Sequence, residues 1–170
     1  MDAPFSGTRE ELFAEYNRWM NEKLYACAAR LSDEQRKQDL GAFFKSIHGT
    51  LNHLLWGDLV WLARFRGETP TLPAVGTILH DGFDELAKAR VAADVELTQF
   101  ARSLTPERLA RPFTFRSMVY QREFSLPTWV LVTQMWNHQT HHRGQVTTLL
   151  MQLGIDPGPT DVPLTPGLLV

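Results

Sequence analysis

Three of the six histidines in this 170-residue chain lie within five consecutive positions, as His138, His141 and His142. The residues on both sides of this group are mostly apolar, which indicates a long and largely buried helix. Side chains four residues apart on a helix lie on one face, about 5–6 Å apart at Cβ. His138 and His142 can therefore converge on one metal ion. His141 lies at the other edge of that face, as a competing ligand or a neighbour.

A metal site built on two histidines needs a third ligand from elsewhere in the chain. We predict that His53 supplies it, because the apolar residues of the segment from Phe43 to about Phe65 surround nearly the whole helix. Such a helix is expected to be central and to lie beside the helix that carries His138 and His142. The alternative is that these histidines only form hydrogen bonds inside the core.

Other polar residues near the histidines each have two interpretations. Asp58 either accepts a hydrogen bond that orients a metal ligand or forms a plain structural hydrogen bond. Arg143 and Gln145 either contact a ligand or the metal-binding histidines, or they pack helices together. His48 lies nearer the start of its helix and is expected to be partly exposed.

Four main helices are predicted to position these residues. The first covers about residues 8–30 and begins with a capping box formed by Thr8 and Glu11. The others are predicted over about 43–65, from about 81 to 104, and from Ser125 and Pro127 to Gly154.

Two features of these helices carry further expectations. Gly144, inside the last helix, is predicted to permit the close approach of another helix and so to bring His53 within reach. The charged residues of the third helix are expected to form a solvated face, and they are Asp84, Glu85, Lys88, Arg90 and Asp94.

The connections are also predictable in outline. Residues 113–124, which are rich in aromatic and β-favouring side chains, predict a short irregular hairpin before the last helix. The segment 67–76 is a loop by its glycine and proline content, placed to shape the mouth of a site. The proline-rich tail, 156–163, is expected to pack over the helices as an extended strap.

Composition favours one globular domain over residues 1–170, with 44% hydrophobic and 21% charged residues. A net charge of −2 with scattered arginines argues against nucleic-acid binding. Cys27 is the chain's one cysteine, which excludes an intrachain disulfide and a cysteine-rich zinc site. It lies on an apolar helix stripe and is predicted to be a buried hydrophobe. Without a signal peptide or membrane-spanning segment, a cytoplasmic location is expected.

The two histidine blocks together resemble the DinB family, within the DinB/YfiT-like superfamily. The resemblance rests on Leu51–Leu62, on Asn137–Gln145 and on Gly154 with the tail that follows it, and covers nearly the whole chain. It implies an all-α four-helix bundle with up-down-down-up connections, commonly a homodimer. It also implies a divalent metal ion held by three histidines, which match His53, His138 and His142. His141 lies within the matching motif but is not a ligand in the usual pattern.

The resemblance also suggests an activity, because the superfamily includes transferases and isomerases that use low-molecular-weight thiols such as bacillithiol or mycothiol. We therefore expect a metal-dependent thiol S-transferase that acts on small electrophiles with Zn²⁺ or Ni²⁺. Three neutral imidazoles leave the charge of the ion intact and its other coordination positions open, which suits catalysis.

Two alternatives to the transferase remain open from the sequence. One is a metal-dependent hydrolase that activates water at the ion, with Asp58 or His141 as the general base. The other is a metal-binding stress-response protein without turnover.

Overall fold

A computed structural model of the protein describes residues 5–117 and 120–168. Most of these residues are helical, and a small antiparallel sheet accompanies the helices. The elements in chain order are α1 (Arg9–Ala29), α2 (Asp33–Lys37), α3 (Ile47–Phe65), α4 (Phe83–Arg102), α5 (Pro106–Ala110), β1 (Pro112–Arg116), β2 (Glu123–Pro127), α6 (Thr128–Gln152) and a 3₁₀ turn (Val162–Leu164). None of the described helices is both long enough and apolar enough to cross a membrane.

The ends of α1 and α6 lie where the capping residues predict them. Thr8 Oγ1 accepts the backbone N–H of Glu11 at 3.2 Å, and the Glu11 carboxylate accepts the backbone N–H of Thr8 at 2.7 Å. Gly154 follows the end of α6 with φ +75°, a conformation that side chains with a Cβ disfavour. The predicted first and last helices are therefore confirmed to within a few residues.

Helix α3 begins at Ile47, four residues later than predicted, because Ser46 is its N-cap and accepts the backbone N–H of Gly49 at 3.0 Å. Phe44 lies in a turn before the helix, and that turn folds back onto the first helical residues. A Cβ on Gly49 would lie 2.2 Å from the carbonyl oxygen of Phe44, so only glycine allows this contact. The turn thereby directs the Phe44 ring toward the middle of α3.

The long helices pack so that α3 contacts α4 and α6, while α1 contacts the same two helices. Nearly every residue of α3 is buried, as its apolar circumference predicts. The largest buried side chains come from all four of these helices and include Met20, Leu24, Leu51, Leu55, Leu86, Leu97, Met135 and Leu150. This packing places one face of α3 directly against α6.

The predicted solvated face of α4 is wrong at two residues. Arg90 is 2% exposed and Asp94 is 4% exposed, whereas Asp84, Glu85 and Lys88 are exposed as predicted. Arg90 Nη1 donates to Asp58 Oδ2 at 2.6 Å, and Arg90 Nη2 lies 3.0 Å from Asp94 Oδ1. These charges can be buried because Arg90 pairs with Asp58 across the α3–α4 interface and with Asp94 on its own helix.

The predicted hairpin is present, and its pairing is regular rather than irregular. Strands β1 and β2 pair antiparallel from Pro112 opposite Pro127 to Arg116 opposite Glu123. Residues 118–119, at the tip, lie outside the described residues. The hairpin leads directly into α6, and Thr128, the first residue of α6, hydrogen-bonds the carbonyl oxygen of Arg111 through both its N–H and its hydroxyl.

The C-terminal tail crosses the helices as the predicted strap. The Tyr16 hydroxyl donates to the carbonyl oxygen of Thr160 at 2.6 Å, and the Lys23 ammonium donates to the carbonyl oxygen of Pro159. Both contacts attach the tail to α1.

Candidate metal centre

Three histidines meet between α3 and α6. Nε2 of His53, on α3, lies 3.0 Å from Nε2 of His138, on α6. A ligand atom of His142 joins them, so that one nitrogen from each ring lies within 4.8 Å of the other two. The structure therefore brings together the three residues singled out from the sequence.

The donor set fits a divalent metal ion. Zinc–histidine bonds are about 2.0–2.1 Å long, so two nitrogens on one tetrahedral ion lie about 3.3 Å apart. The 3.0 Å between His53 Nε2 and His138 Nε2 is close to that separation. No carboxylate or thiol of the described residues belongs to this group. Three neutral ligands leave the full charge of the ion available for chemistry.

The electrostatics of the site keep the rings neutral at physiological pH. The pKa of His53 is lowered to about 3, mainly by burial and to a smaller extent by the neighbouring His138 and His142. Burial likewise lowers the pKa of His138 to about 4, with smaller effects from His142 and His141. Burial also lowers the pKa of His142. Neutral imidazoles are the form that binds metals, so protons do not compete for these nitrogens near pH 7.

Gln145 orients the His142 ring. Nδ1 of His142 lies 2.7 Å from Oε1 of Gln145, and an amide oxygen only accepts, so Nδ1 carries the proton and donates it. In the neutral ring, Nε2 is then the nitrogen with a free lone pair. This contact is the first of the two interpretations given for Gln145, contact with a metal-binding histidine.

We expect Gln145→Leu to weaken binding of Zn²⁺ by about 10–100-fold, because the His142 ring loses the partner that fixes its tautomer. The measurement is a competition titration with a chromophoric chelator. Gln152→Leu is the control, since Gln152 lies on the same helix but at its exposed end, away from the three histidines. Equal affinities for the two variants would contradict the orienting role.

The His53 ring is held by stacking. Its centroid lies 3.8 Å from the centroid of the Phe44 ring, and the two ring planes are 19° apart. The centroid of the Trp56 ring lies 6.1 Å from that of His53. The turn that precedes α3 thus supplies one wall of the site. Spacing alone did not reveal this contribution, because Phe44 was assigned to the helix itself.

A glycine on α3 makes room for His138. A Cβ on Gly57 would lie 2.7 Å from Cε1 of His138 and 3.2 Å from Nδ1. Gly144, which was predicted to permit close helix approach, is exposed, and a Cβ there would meet no described heavy atom within 4 Å. That prediction is wrong, because Gly144 on α6 faces solvent. The close contact between the two helices is instead at Gly57 on α3, against the His138 ring.

The remaining candidates lie outside the three-histidine group. His141 is exposed, with its ring centroid 4.7 Å from that of His142. Asp58 points away, into its ion pair with Arg90. Arg143 donates to Asn17 Oδ1 on α1, so it packs helices together, the second of its two interpretations.

Two smaller predictions are settled by burial. His48 was expected to be partly exposed but is buried, and its Nε2 donates to the carbonyl oxygen of His80 at 2.9 Å. This bond attaches the loop before α4 to α3. Cys27, which was predicted to be a buried hydrophobe, is only half-buried and packs at the edge of the core.

A cavity of about 520 Å³ opens beside His53 and His138. Its walls come from α3, α6 and both strands of the hairpin, and Arg64 is the one charged side chain among the described residues that line it. The part of the wall that α3 contributes could have been found from the sequence, because residues 53, 57, 60, 61 and 64 have the spacing of one helix face. Only the folded hairpin closes the other side.

Comparison with known proteins identifies the family of the chain. A family model described as the DinB family matches residues 6–168. The chain belongs to the DinB family. This confirms the resemblance that the two histidine blocks indicated.

The chain is also similar to individual proteins. It is 28% identical over 156 residues to Protein DinB of Bacillus subtilis (strain 168), a match that covers 86% of this chain and 87% of that protein. A crystal structure of a DinB-like protein from Bacillus cereus ATCC 10987 superimposes with a TM-score of 0.59 at 18% identity, over 83% of this chain and 90% of that chain. The second similarity shows that the two share a fold.

Proposed function

We propose that this DinB family protein is a divalent-metal-dependent S-transferase, which joins a low-molecular-weight thiol to a small electrophile. The observation that carries the proposal is the convergence of His53, His138 and His142 at the end of a largely apolar cavity. Neutral ligands and an adjoining cavity are the arrangement expected for a catalytic metal ion with open positions.

A divalent ion held by these histidines, Zn²⁺ or Ni²⁺, would supply Lewis acidity that lowers the pKa of an external thiol, so that its sulfur is a thiolate near neutral pH. The chain's own residues do the rest. Gln145 holds His142 in the tautomer that directs Nε2 to the site, and the Phe44 ring fixes His53. The cavity would position the electrophile next to the histidines.

The atoms of the reaction balance without a further reagent. The thiolate sulfur attacks the electrophilic carbon, a C–S bond forms, and the bond to the leaving group breaks with its electron pair on that group. The thiol proton passes to solvent. The thiol is external, because Cys27 belongs to the core around α1 and does not line the cavity.

The geometry favours the transferase over the hydrolase. Hydrolysis needs a general base beside the histidines. Asp58 is bound to Arg90 in the core, and His141 is exposed outside the three-histidine group. The apolar cavity in turn supports turnover rather than a metal-binding role alone.

The family resemblance completes the proposal. We propose that residues 1–170 form one domain, that its long helices have the up-down-down-up order of the family, and that the protein is a cytoplasmic homodimer. A single monomer mass in light scattering would contradict the dimer.

The test begins with elemental analysis of protein purified without a histidine tag. We expect near-stoichiometric divalent metal in the wild type, loss of that metal in His53→Ala, His138→Ala and His142→Ala, and retention in the control His141→Ala. Retention in all three ligand variants would contradict the site.

Activity is then measured with 1-chloro-2,4-dinitrobenzene and, in turn, bacillithiol, mycothiol and glutathione. We expect thioether formation only when a thiol is added, and its loss in the three ligand variants but not in His141→Ala. Cleavage of nitrophenyl esters without any thiol would instead support the hydrolase.

A further inference from the structure

We propose that the cavity beside the histidines binds an elongated substrate with an aromatic body and a terminal carboxylate, and that Arg64 binds the carboxylate. The proposal extends the proposed function by naming the class of electrophile. It rests on that function only for the reactive end of the substrate. Three observations support it: the position of Arg64 in the cavity, the lack of an acidic partner for Arg64 among the described residues, and the largely apolar cavity walls.

Arg64 lies at the far end of the cavity from the metal centre. His53, Gly57 and Arg64 all line it, so one face of α3 forms the length of the cavity wall. A helix rises about 1.5 Å per residue, which puts Arg64 about 10 Å along the axis from Gly57 and about 16 Å from His53. A ligand that reaches from His138, which contacts the Gly57 position, to Arg64 therefore has an elongated body.

No acidic side chain neutralises Arg64 within the described part of the chain. Its guanidinium lies over the rings of Trp61 and Phe115, 4.8 Å and 4.7 Å from their centroids. Glu68 is near in the adjoining cavity but pairs with Arg66, which also pairs with Glu96. Burial lowers the pKa of Arg64, as expected for a guanidinium that has lost water without gaining an anion.

A carboxylate is the chemistry that this arrangement fits. A guanidinium that is half-buried among aromatic rings keeps its planar fork of N–H donors free for a bidentate anion. The aromatic contacts orient the fork but do not use its in-plane donors. A ligand carboxylate would supply the missing opposite charge in an otherwise largely apolar space.

The cavity walls suit an aromatic body between the two ends. The other side chains that line the cavity are mostly apolar, and they include Trp56 and Val60 from α3, Phe124 and Leu126 from β2, and Val130 from α6. The Trp56 indole is fixed, because its Nε1 donates to the carbonyl oxygen of Pro73 at 2.8 Å. A volume of about 520 Å³ is within the range of small-molecule sites.

The test measures binding of 4-phenylbutanoate and of its neutral amide, 4-phenylbutanamide, by calorimetry and by tryptophan fluorescence. Both probes are titrated into zinc-loaded protein and into protein treated with a chelator. We expect the wild type to bind the carboxylate at least about tenfold more tightly than the amide in both forms, from a charge-assisted hydrogen bond. Equal binding of acid and amide by the wild type would overturn the proposal without any variant.

The variants make the assignment specific to Arg64. Arg64→Gln should remove the preference for the acid, and Arg64→Glu should reverse the selectivity toward 4-phenylbutylamine. The matched control is Arg102→Gln, which removes one exposed positive charge at the end of α4, outside the cavity, and should keep the wild-type preference. A preference that survives Arg64→Gln, or that is lost in Arg102→Gln, would overturn the assignment.

A further measurement shows whether the carboxylate bound by Arg64 belongs to the electrophile or to the thiol. N-acetylcysteine carries a carboxylate but no aromatic body. If Arg64→Gln weakens N-acetylcysteine and leaves 4-phenylbutanoate unchanged, Arg64 serves the thiol and the proposal is wrong. The binding measured without metal is independent of turnover, so failure of the transferase activity and failure of this proposal give different results.

Discussion

Gly57→Ala is expected to weaken binding of Zn²⁺ by about 100-fold, because displacing a metal ligand by about 1 Å is costly at a site that needs fixed geometry. The added Cβ would lie 2.7 Å from Cε1 of His138, far closer than two carbon atoms approach. The histidine ring is the end of a side chain and moves more easily than the α3 backbone. The ring should therefore leave the position from which it faces His53.

The same substitution should leave the fold intact. Alanine in place of glycine inside a helix contributes about 1 kcal/mol to helix stability. That gain offsets the cost of moving the His138 ring, so the free energy of unfolding of the metal-free protein should change little. Loss of metal without loss of stability separates a positioning role for Gly57 from a general packing defect.

Gly144→Ala is the matched control for this prediction. It is also a glycine inside a helix, on α6, but a Cβ there meets no described heavy atom within 4 Å. It should gain similar helix stability and keep wild-type metal affinity. Chelator competition gives the affinity, and urea denaturation of the metal-free variants gives the stability. Wild-type affinity in Gly57→Ala would show that the His138 position is not needed for the site.

The second large effect concerns stability. Arg90→Met should cost about 3–5 kcal/mol at neutral pH, the range found when one partner of a buried ion pair is removed. The Arg90 guanidinium is bound to Asp58 on α3 and to Asp94 on its own helix. Asn21 on α1 also donates to Asp94, at 2.9 Å. Without Arg90, two buried carboxylates lose the positive charge that they share.

The cost of Arg90→Met should depend on pH in a defined direction. Burial already raises the pKa of Asp94 to about 6 and raises the pKa of Asp58, while the Arg90 charge opposes both shifts. Removing Arg90 raises both pKa values further. A carboxyl group whose pKa is higher in the folded state binds more protons there, so its contribution to stability is lost as pH rises. The variant should therefore be closer to the wild type at pH 5 than at pH 8.

Arg18→Met is the control for burial. Arg18 also bridges two carboxylates, Glu15 and Glu22, but on the exposed surface of α1. Exposed pairs contribute about 0–1 kcal/mol, so this variant should lose little stability. The neutral triple variant Asp58→Asn/Arg90→Met/Asp94→Asn should recover part of the loss, because no unpaired charge remains. Urea denaturation at both pH values tests the set, and equal losses for Arg18→Met and Arg90→Met would contradict it.

The sequence by itself determined the local features of this protein. Thr8 with Glu11, and Gly154, set the ends of α1 and α6, because caps act on backbone groups within one turn. The spacing of His138 and His142 placed both on one helix face for the same reason. The apolar circumference of α3 likewise predicted its burial. Each of these inferences depends on residues that are close together in the chain.

Only the tertiary structure determined which faces of the helices pack against each other. His53 and His138 are 85 residues apart in the chain, and the rotation of α3 against α6 is set by packing along their whole length. That rotation made Gly57 the glycine at the site and turned Gly144 to solvent. The approach of α4 to α3 likewise buried Arg90, which a charged pattern alone places outside. Periodicity along one helix defines its faces, but the energy that assigns a neighbour to each face comes from contacts distant in the chain.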